Sequence, residues 1–538
     1  MPLEGPVSDA ATRHRSFWLD EALAAEKPST TVLSGQHRFD VAIVGGGFCG
    51  LWTAINLVSR EPALRVAIVE RDICGGGASG RNAGYVLSLW ARFPAMAAFM
   101  GEEEALRVAR ASAESVAEIG AFCAAHGIDA EYENNGWLWG ATCERHLGAW
   151  SMVAERLSRF QSYPFREMDG AEIASRWGLD GYAGGAFDAS AGAVQPAKLV
   201  RGLARRAREM GISIFERSPM TGLHRGNPPR VATSGGEIVA DSVVLAMNAW
   251  SVGLPEFRRS LLVAAAEAAV SAPIPGVLAK MGFARGPVVT DSRIMVGNLR
   301  PTAGGRLEFG KGGGHVARAG RVGPRFEGVP PRLALLLEET RQASAQLRGL
   351  EVAQSWVGPI DRSAETVPMF GALPGAERVF YGCGFSGNGV GPTHLAGKIL
   401  ASLVLGVWVT ADTHFGEPGA PAMFGRPFTD AAAMDEALLE SLNARVGKRD
   451  RLLHLGDFCG PHPEGRRAQI DQAWRNVRAV VEAAGMTHRD IVRLTVYMVG
   501  TEDVEFSREC RNRTIEGEKP GSTLLFVAGL ADPDMIIE

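Results

Sequence analysis

The sequence predicts an α/β protein of more than one domain, headed by a Rossmann-type strand–turn–helix unit. Three observations carry that prediction. A strand-forming run, Val41, Ala42, Ile43 and Val44, feeds a turn with Gly45, Gly47 and Gly50 in G-x-G-x-x-G spacing, followed by the helix-compatible LWTAINLVSR. Farther on, RIMVGNLRPTAGGRLEFGKGGG reads as a hairpin turning at Ala303-Gly304-Gly305, so an antiparallel sheet accompanies the parallel one. Near the end, GRRAQIDQAWRNVRAVVEAAGM reads as a helix and DIVRLTVYMV as a strand, an α+β module of its own. A chain of 538 residues has ample material for several cores.

The opening unit is a dinucleotide fingerprint in its proper context. Gly45 permits the tight turn, Gly47 lets the backbone approach a pyrophosphate, and Gly50 lets the helix pack against its strand. Phe48 and Cys49 lie inside the turn, where the helix N-terminus points its free N–H groups at the phosphates. Twenty residues beyond, LRVAIVE ends in Glu70, placed to take a ribose hydroxyl, and Arg71 follows.

Composition narrows the function classes. Charged residues make up 22% of the chain and the formal net charge is -4, so nothing points to nucleic acid or to an electrostatic membrane partner. The seven Cys are scattered without a C-x-x-C pair and read as reduced thiols, with no metal site. MPLEGPVSDAATRHRS lacks an apolar signal core, and no run of eighteen apolar residues occurs. The expectation is a cytoplasmic protein without membrane insertion.

In chain order, residues 1–37 read as a polar lead-in with one short helix, SFWLDEALAAE, lying on the surface. Asp72 to Gly84, DICGGGASGRNAG, is too rich in glycine for a regular element, so its backbone approaches something closely. Residues 101–126 form a helix, with Leu106, Val108, Val116, Ile119 and Phe122 mostly on one face and Gly127 as cap. Short strands and helices alternate over 131–190, including GWLWGAT. Pro196 starts a helix that Gly211 ends, and IVADSVVLAMNAW is a buried strand leading to Asn248 and Trp250. After SWVGPIDRSAETVPMFG, strand residues Val379 to Tyr381 run into Gly382, Gly384, Gly387, Gly389 and Gly391 and then an apolar helix, whose N-terminus, worth about half a positive charge, is aimed at a ligand. His394 opens that helix. Residues 411–450, rich in Gly and Pro, read as a linker to the last module.

GGGFCGLWTA, the Glu70-Arg71 pair and GASGRNAG together resemble the FAD-dependent D-amino-acid oxidase/glycine oxidase superfamily, in particular its gamma-glutamylputrescine oxidase-like branch. The resemblance implies that the first motif holds the ADP half of FAD. It also implies that Gly77, Ala78, Ser79, Arg81, Asn82, Ala83 and Gly84 wrap the pyrophosphate and flavin ring. A backbone contact to adenine falls near Met220, a cofactor-side turn at Asn248 and Trp250, and flavin surroundings at Trp356, Gly384, Ser386, Gly387, Asn388, Gly389 and Val390. FAD-binding segments then span about 38–90, 190–255 and 355–410 of a unit at 38–410, with an antiparallel-sheet substrate domain between them. Trp90, His315 and Asn388 are weak catalytic candidates: core packing explains Trp90 equally well, and a surface loop explains His315 better. The branch's substrate-carboxylate lysine is missing from Ser386-Gly387-Asn388-Gly389-Val390-Gly391, and SWVGPID lacks the flavin-tethering cysteine, so FAD is expected to bind non-covalently.

Residues 451–538 resemble the reactive-intermediate deaminase (RidA/YjgF) family through EAAGM, DIVRLTVYMV and KPGSTLLFVAGLADPDMIIE. Such proteins are trimers that hydrolyse enamines and imines. Their carboxylate-binding arginine is absent from Lys519-Pro520-Gly521-Ser522-Thr523, although Glu538 matches a late glutamate. A structural, oligomerising role is therefore expected for a RidA-like domain, imine hydrolysis being the alternative. The combined resemblance implies oxidation of a small-molecule amine or amino acid to an imine, with dioxygen as acceptor. A quinone or carrier as acceptor, or a non-catalytic scaffold, are the alternatives.

Overall fold

The structure is a computed structural model. It describes residues 14–26, 30–160, 162–318, 320–411, 430, 433–434, 437, 451–455, 466–483, 493–499, 502–515 and 521–527. The chain divides into two compact units, Met1–Ala401 and Ser402–Glu538. Most of the expected linker, with Gly485, Lys519, Pro520 and Glu538, lies outside the described residues.

The first unit is built on two eight-stranded sheets. In one, β1 (Gly35–Val44) pairs in parallel with β2 (Val66–Val69) on one side and with strand Gly236–Leu245 on the other. Strand Ala376–Cys383 continues the parallel order beyond Gly236–Leu245. β2 is buried throughout, and so are the last four residues of β1 and of Gly236–Leu245, as a parallel sheet covered on both faces requires. Helix α2 (Phe48–Arg60) crosses from β1 to β2 and buries most of its length, including Leu51, Trp52, Ile55 and Leu57. The second sheet is mostly antiparallel and contains the expected hairpin: Gly297–Pro301 pairs with Leu307–Lys311, closed by a Gly305 N–H to Thr302 C=O bond of 3.0 Å, with Gly305 at φ +66°. Strands Leu261–Ser271 and Val352–Ser363 form its longest ladder.

The N-terminal helix departs from expectation. Helix α1 (Phe17–Ala24) is not a surface element: Trp18, Leu19 and Ala22 are buried, Trp18 in a core with Trp356 and Ile73. Ser16 caps the helix and also donates its hydroxyl to the Gly80 carbonyl at 2.5 Å, while Arg81 donates to the His14 carbonyl at 2.8 Å. Its partners come from distant segments, so periodicity within the helix alone could not reveal this docking.

Within the second unit, helices Arg466–Ala483 and Val504–Thr514 pack together, with Ile470 and Trp474 buried and the Trp474 indole donating to Ser507 at 3.2 Å. Strands Arg493–Val499 and Gly521–Val527 pair in parallel, the first of them the strand expected from DIVRLTVYMV.

Candidate active site

One large cavity, about 2360 Å³, runs through the first unit. One end is the cradle formed where β1 turns into α2. Gly45 adopts φ +115°, and a Cβ there would meet the Ala246 carbonyl at 2.3 Å. A Cβ on Gly50 would meet the Gly45 carbonyl at 2.0 Å, so only glycine lets α2 seat this tightly. No side chain of the N-cap residue, Gly47, caps the helix, and the Phe48 N–H is held by the Ser79 hydroxyl at 2.9 Å.

Glu70 lies at the end of β2. One carboxylate oxygen accepts from the Gly46 N–H at 2.7 Å and the other from the Asp72 N–H at 2.9 Å, while burial pushes the carboxyl pKa above its ordinary value. Arg71 stacks over Trp250 at 4.0 Å and pairs with Glu327. The glycine-rich loop is pinned from behind. Asn82 donates to the Ala78 and Ser79 carbonyls and accepts from the Gly84 N–H, and Arg81 donates to the Gly76 and Val357 carbonyls.

The far end of the cavity is walled by the second sheet. Leu262, Ala264 and Ala266 alternate with cross-strand partners Arg362, Ile360 and Gly358 on one face of the ladder, the period of two that puts them all on the cavity side. Trp137 and Trp139, stacked at 5.7 Å and 11°, line the same region with Tyr85, Thr290 and Asn298. The turn Gly384–Gly389 closes the middle. Ser386 sits at φ +55°, and Asn388 donates to the Ser88 carbonyl at 2.8 Å just before helix Val390–Val404. Asp361 accepts from the Gly384 N–H at 2.5 Å, and burial pushes its carboxyl up to about 7.

Most residues expected at the cofactor line this cavity: Gly45, Gly47, Phe48, Cys49, Glu70, Arg71, Gly77, Ala78, Ser79, Arg81, Asn82, Ala83, Met220, Asn248, Trp250, Ser386, Gly387, Asn388, Gly389 and Val390. Gly50, Gly84, Trp356 and Gly384 stand behind the wall. Trp356 is fully buried there, its indole donating to the Arg81 carbonyl at 2.8 Å. Trp90 belongs to a core with Phe93, Met96 and Trp150, and the His315 ring packs on Phe326 at 4.5 Å; neither is among the residues that line the cavity. His394 is buried edge-on against Trp52 and held neutral, its pKa pushed down to about 4 by burial. Sequence reasoning missed Asp361, Trp137, Trp139, Arg92 and Arg362. The W-L-W pair was visible as a strand, but nothing in the sequence told which face it would present.

A parallel sheet whose first strand turns through glycines into a helix N-terminus, joined to an antiparallel sheet across one deep cavity, defines a dinucleotide-dependent oxidoreductase. Residues 40–403 match the family described as FAD dependent oxidoreductase, and the chain belongs to that family. Residues 461–538 match the family described as Endoribonuclease L-PSP, the RidA-like domain. The chain is 28% identical to gamma-glutamylputrescine oxidoreductase of Escherichia coli over 438 residues, covering 80% of this chain and 99% of that protein. It is 26% identical to the probable oxidoreductase OrdL of Haemophilus influenzae, covering 68% and 83%. The solved glycine oxidase of Geobacillus kaustophilus superposes with a TM-score of 0.54 at 23% identity, over 68% of this chain and 95% of that one, which shows the fold.

The residues present fit FAD. Around the cavity, Asn248 Oδ1, Asn388 Oδ1 and Trp250 Nε1 are buried polar atoms without a hydrogen-bond partner among the described residues. Buried polar atoms left open in this way are what a polar ligand satisfies. Among the described residues no helix is long and apolar enough to cross a membrane.

Proposed function

We propose that the first unit oxidises the C–N bond of a small amine or amino acid to an imine, which water then hydrolyses to an aldehyde or keto acid, with dioxygen as the electron acceptor. The observation that carries this reading is the single continuous cavity, glycine cradle at one end and Trp137–Trp139 at the other, larger than the roughly 300–1,000 Å³ of an ordinary ligand pocket. When bound, FAD supplies the hydride-accepting ring.

The chain's own residues supply position and electrostatics. Gly47 and Gly77 let backbone come close to the pyrophosphate, and Glu70 retains lone pairs for a ribose hydroxyl beyond those its backbone N–H bonds use. The turn at Gly387–Gly389 directs helix Val390–Val404 at the flavin, where negative charge accumulates on reduction. The aromatic and aliphatic wall strips water from the substrate amine, which favours its uncharged form.

Cofactor attachment is non-covalent in this reading. Cys49 lines the cavity, but burial pushes its thiol up to about 12, so it offers no thiolate. We place the protein in the cytoplasm, in keeping with the six described cysteines being free thiols. The C-terminal module gathers subunits instead of hydrolysing imines, since Gly521-Ser522-Thr523 opens strand Gly521–Val527 where the family's arginine would stand.

The test is anaerobic flavin bleaching of the purified full chain against polyamines, gamma-glutamyl amines, N-alkyl amino acids and D-amino acids, followed by mixing with dioxygen. Bleaching by one class and rapid reoxidation support the proposal. A colourless protein, or one that no amine bleaches, refutes it, and slow reoxidation transfers the acceptor role to a quinone or carrier. Light scattering on the same sample reads the assembly, and a monomer removes the oligomerising role.

A further inference from the structure

A single buried carboxyl joins the two sheets of the first unit beside the cavity. Asp361 is 1% exposed and belongs to the cavity lining. Its neighbours on strand Val352–Ser363, Ile360 and Arg362, share one row of the ladder, so the Asp361 side chain is directed away from Arg362, to the end of strand Ala376–Cys383. There its carboxylate accepts the Gly384 N–H at 2.5 Å and also bonds the Phe385 N–H and the Asn248 side chain. Its own backbone carbonyl accepts the Ser386 N–H at 2.9 Å. Ser386 and Asn248 are both non-glycine residues with left-handed backbone, at φ +55° and +47°, and both line the cavity. Backbone of that kind persists where its surroundings over-determine it, and here one residue braces both.

Asp361 holds this position without a counter-charge. Glu216, Glu267 and Asp291, buried carboxylates of the same unit, each meet an arginine, whereas Asp361 forms no ion pair among the described residues. The elements packed around it bring few titratable groups. Helix α2 brings Cys49 and strand Ala376–Cys383 brings Cys383; burial pushes both thiols up, Cys49 to about 12, so both stay neutral. Strand Leu261–Ser271 brings Val263, the cross-strand partner, and the segments at Asn248 and Gly384–Gly389 carry no ionisable side chain. Burial pushes the Asp361 carboxyl up to about 7, which makes it the group of this cluster that titrates in the neutral range.

The hydrogen bonds of Asn248 change with that proton. An ionised carboxylate can only accept, so Asn248 presents Nδ2 to it, and Asn248 Oδ1 is left buried without a partner among the described residues. A protonated carboxyl donates, yet Gly384 and Phe385 offer it only N–H donors. The open Asn248 Oδ1 is the acceptor at hand. Turning the amide over lets Oδ1 accept the carboxyl O–H and carries Nδ2 to the side that Oδ1 held. The atom that Asn248 offers to the cavity then changes from an acceptor to a donor.

Negative charge accumulates on a flavin when it is reduced, and an ionised carboxylate in the same wall repels it, so each raises the other's affinity for a proton. We infer that Asp361 is a positioning residue that takes up one proton when the bound cofactor gains its electrons, and that it acts through Asn248, whose amide turns over to aim Nδ2 at the new charge. This rests on the reading that the cavity holds a flavin. In balance, two electrons and one proton reach the cofactor as hydride. A second proton passes from solvent water to the Asp361 carboxylate, where an O–H bond forms and nothing is oxidised.

The experiment uses the full-length flavin-loaded protein, reduced by dithionite with redox dyes present, so that its electrons come from no amine. Its midpoint potential is followed from about pH 6 to about pH 9. Reduction to the anionic state takes one proton per two electrons by itself. Above about 7, where Asp361 is ionised in the oxidised protein, it is expected to take two, which doubles the slope of potential against pH. Asp361→Asn should halve the slope in that range, and reduced-minus-oxidised infrared spectra should show a protonated carboxyl gained by the unaltered protein and not by the variant. In the oxidised state the flavin absorption band should shift with a midpoint of about 7, and neither Asp361→Asn nor Asn248→Ala should show that shift. One proton per two electrons above about 7 in the unaltered protein overturns the inference, and that arm needs no variant to fold. Equal slopes in the unaltered protein and a folded, yellow Asp361→Asn overturn it as well, and so does a full band shift in Asn248→Ala. A colourless protein removes the flavin reading and this inference together, whereas a yellow protein that no amine bleaches removes amine oxidation alone.

Discussion

Asp361→Asn converts a titrating brace of the cavity into a fixed one. The Asp361 carboxyl is buried, and burial is the largest influence on it, pushing its pKa from 3.8 to about 7 against the backbone N–H groups of Gly384 and Phe385, which pull it down. At about 1.4 kcal/mol per pKa unit, a displacement of about 3 units amounts to ~4 kcal/mol. Because the folded pKa lies above the unfolded one, the native state holds the proton more tightly. The contribution to stability is complete below about 4 and is lost as pH rises through about 7. The asparagine has no such slope. It has a different cost, since its amide Oδ1 can serve one N–H while Nδ2 faces the other, and a buried donor left unsatisfied costs about 1–3 kcal/mol. The variant is therefore expected to be the less stable protein near pH 5 and the equal or more stable one near pH 8. Denaturant melts of the flavin-loaded chain across that range, followed by tryptophan and flavin fluorescence, measure the crossing. Two curves that run parallel at all pH values would refute the assignment of a raised pKa to Asp361.

Gly50→Ala forces a Cβ to within 2.0 Å of the Gly45 carbonyl, so α2 must move off β1, at about 1–3 kcal/mol for overpacking. The protein should fold but lose most of its flavin on desalting, while Gly276→Ala, with open space around it, should leave flavin content unchanged; equal content in both would dispose of the argument. Trp18→Ala removes a ring that is 1% exposed and sits edge-on to Trp356 at 6.1 Å, for about 3–5 kcal/mol and a clear drop in melting temperature. An unchanged melt would return residues 17–24 to the surface.

The parts of the fold legible in the sequence were those fixed by neighbours in the chain. The turn at Gly45–Gly50, the hairpin closing at Gly305 and the helix starting at Pro196 each announce themselves within a few residues, because glycine and proline act through local backbone geometry. The docking of α1 was not legible, since its partners Trp356, Gly80 and Gln195 come from distant segments. The site divides in the same way. Backbone-approach positions such as Gly77 and Gly387 follow from motif, whereas Asp361 owes its raised pKa to burial by distant segments, a property of the packed chain. Trp356 shows the converse: a large residue beside a motif reads as a wall of the site until its indole is found holding the Arg81 carbonyl from behind.

The brace between the N-terminal segment and the glycine-rich loop has a consequence for synthesis. The wall of the nucleotide site uses Ser16 and His14 to hold residues 80–81, while its other side comes from Asp361 and the turn at Gly384–Gly389. With FAD held as proposed, a ribosome must release nearly the whole first unit before the cofactor can be retained, and the opening fingerprint, though made first, waits for the turn at Gly384–Gly389. Cofactor capture then acts as a completion signal. Stalled nascent chains ending before Gly384 should hold no flavin, and those extending beyond Val404 should.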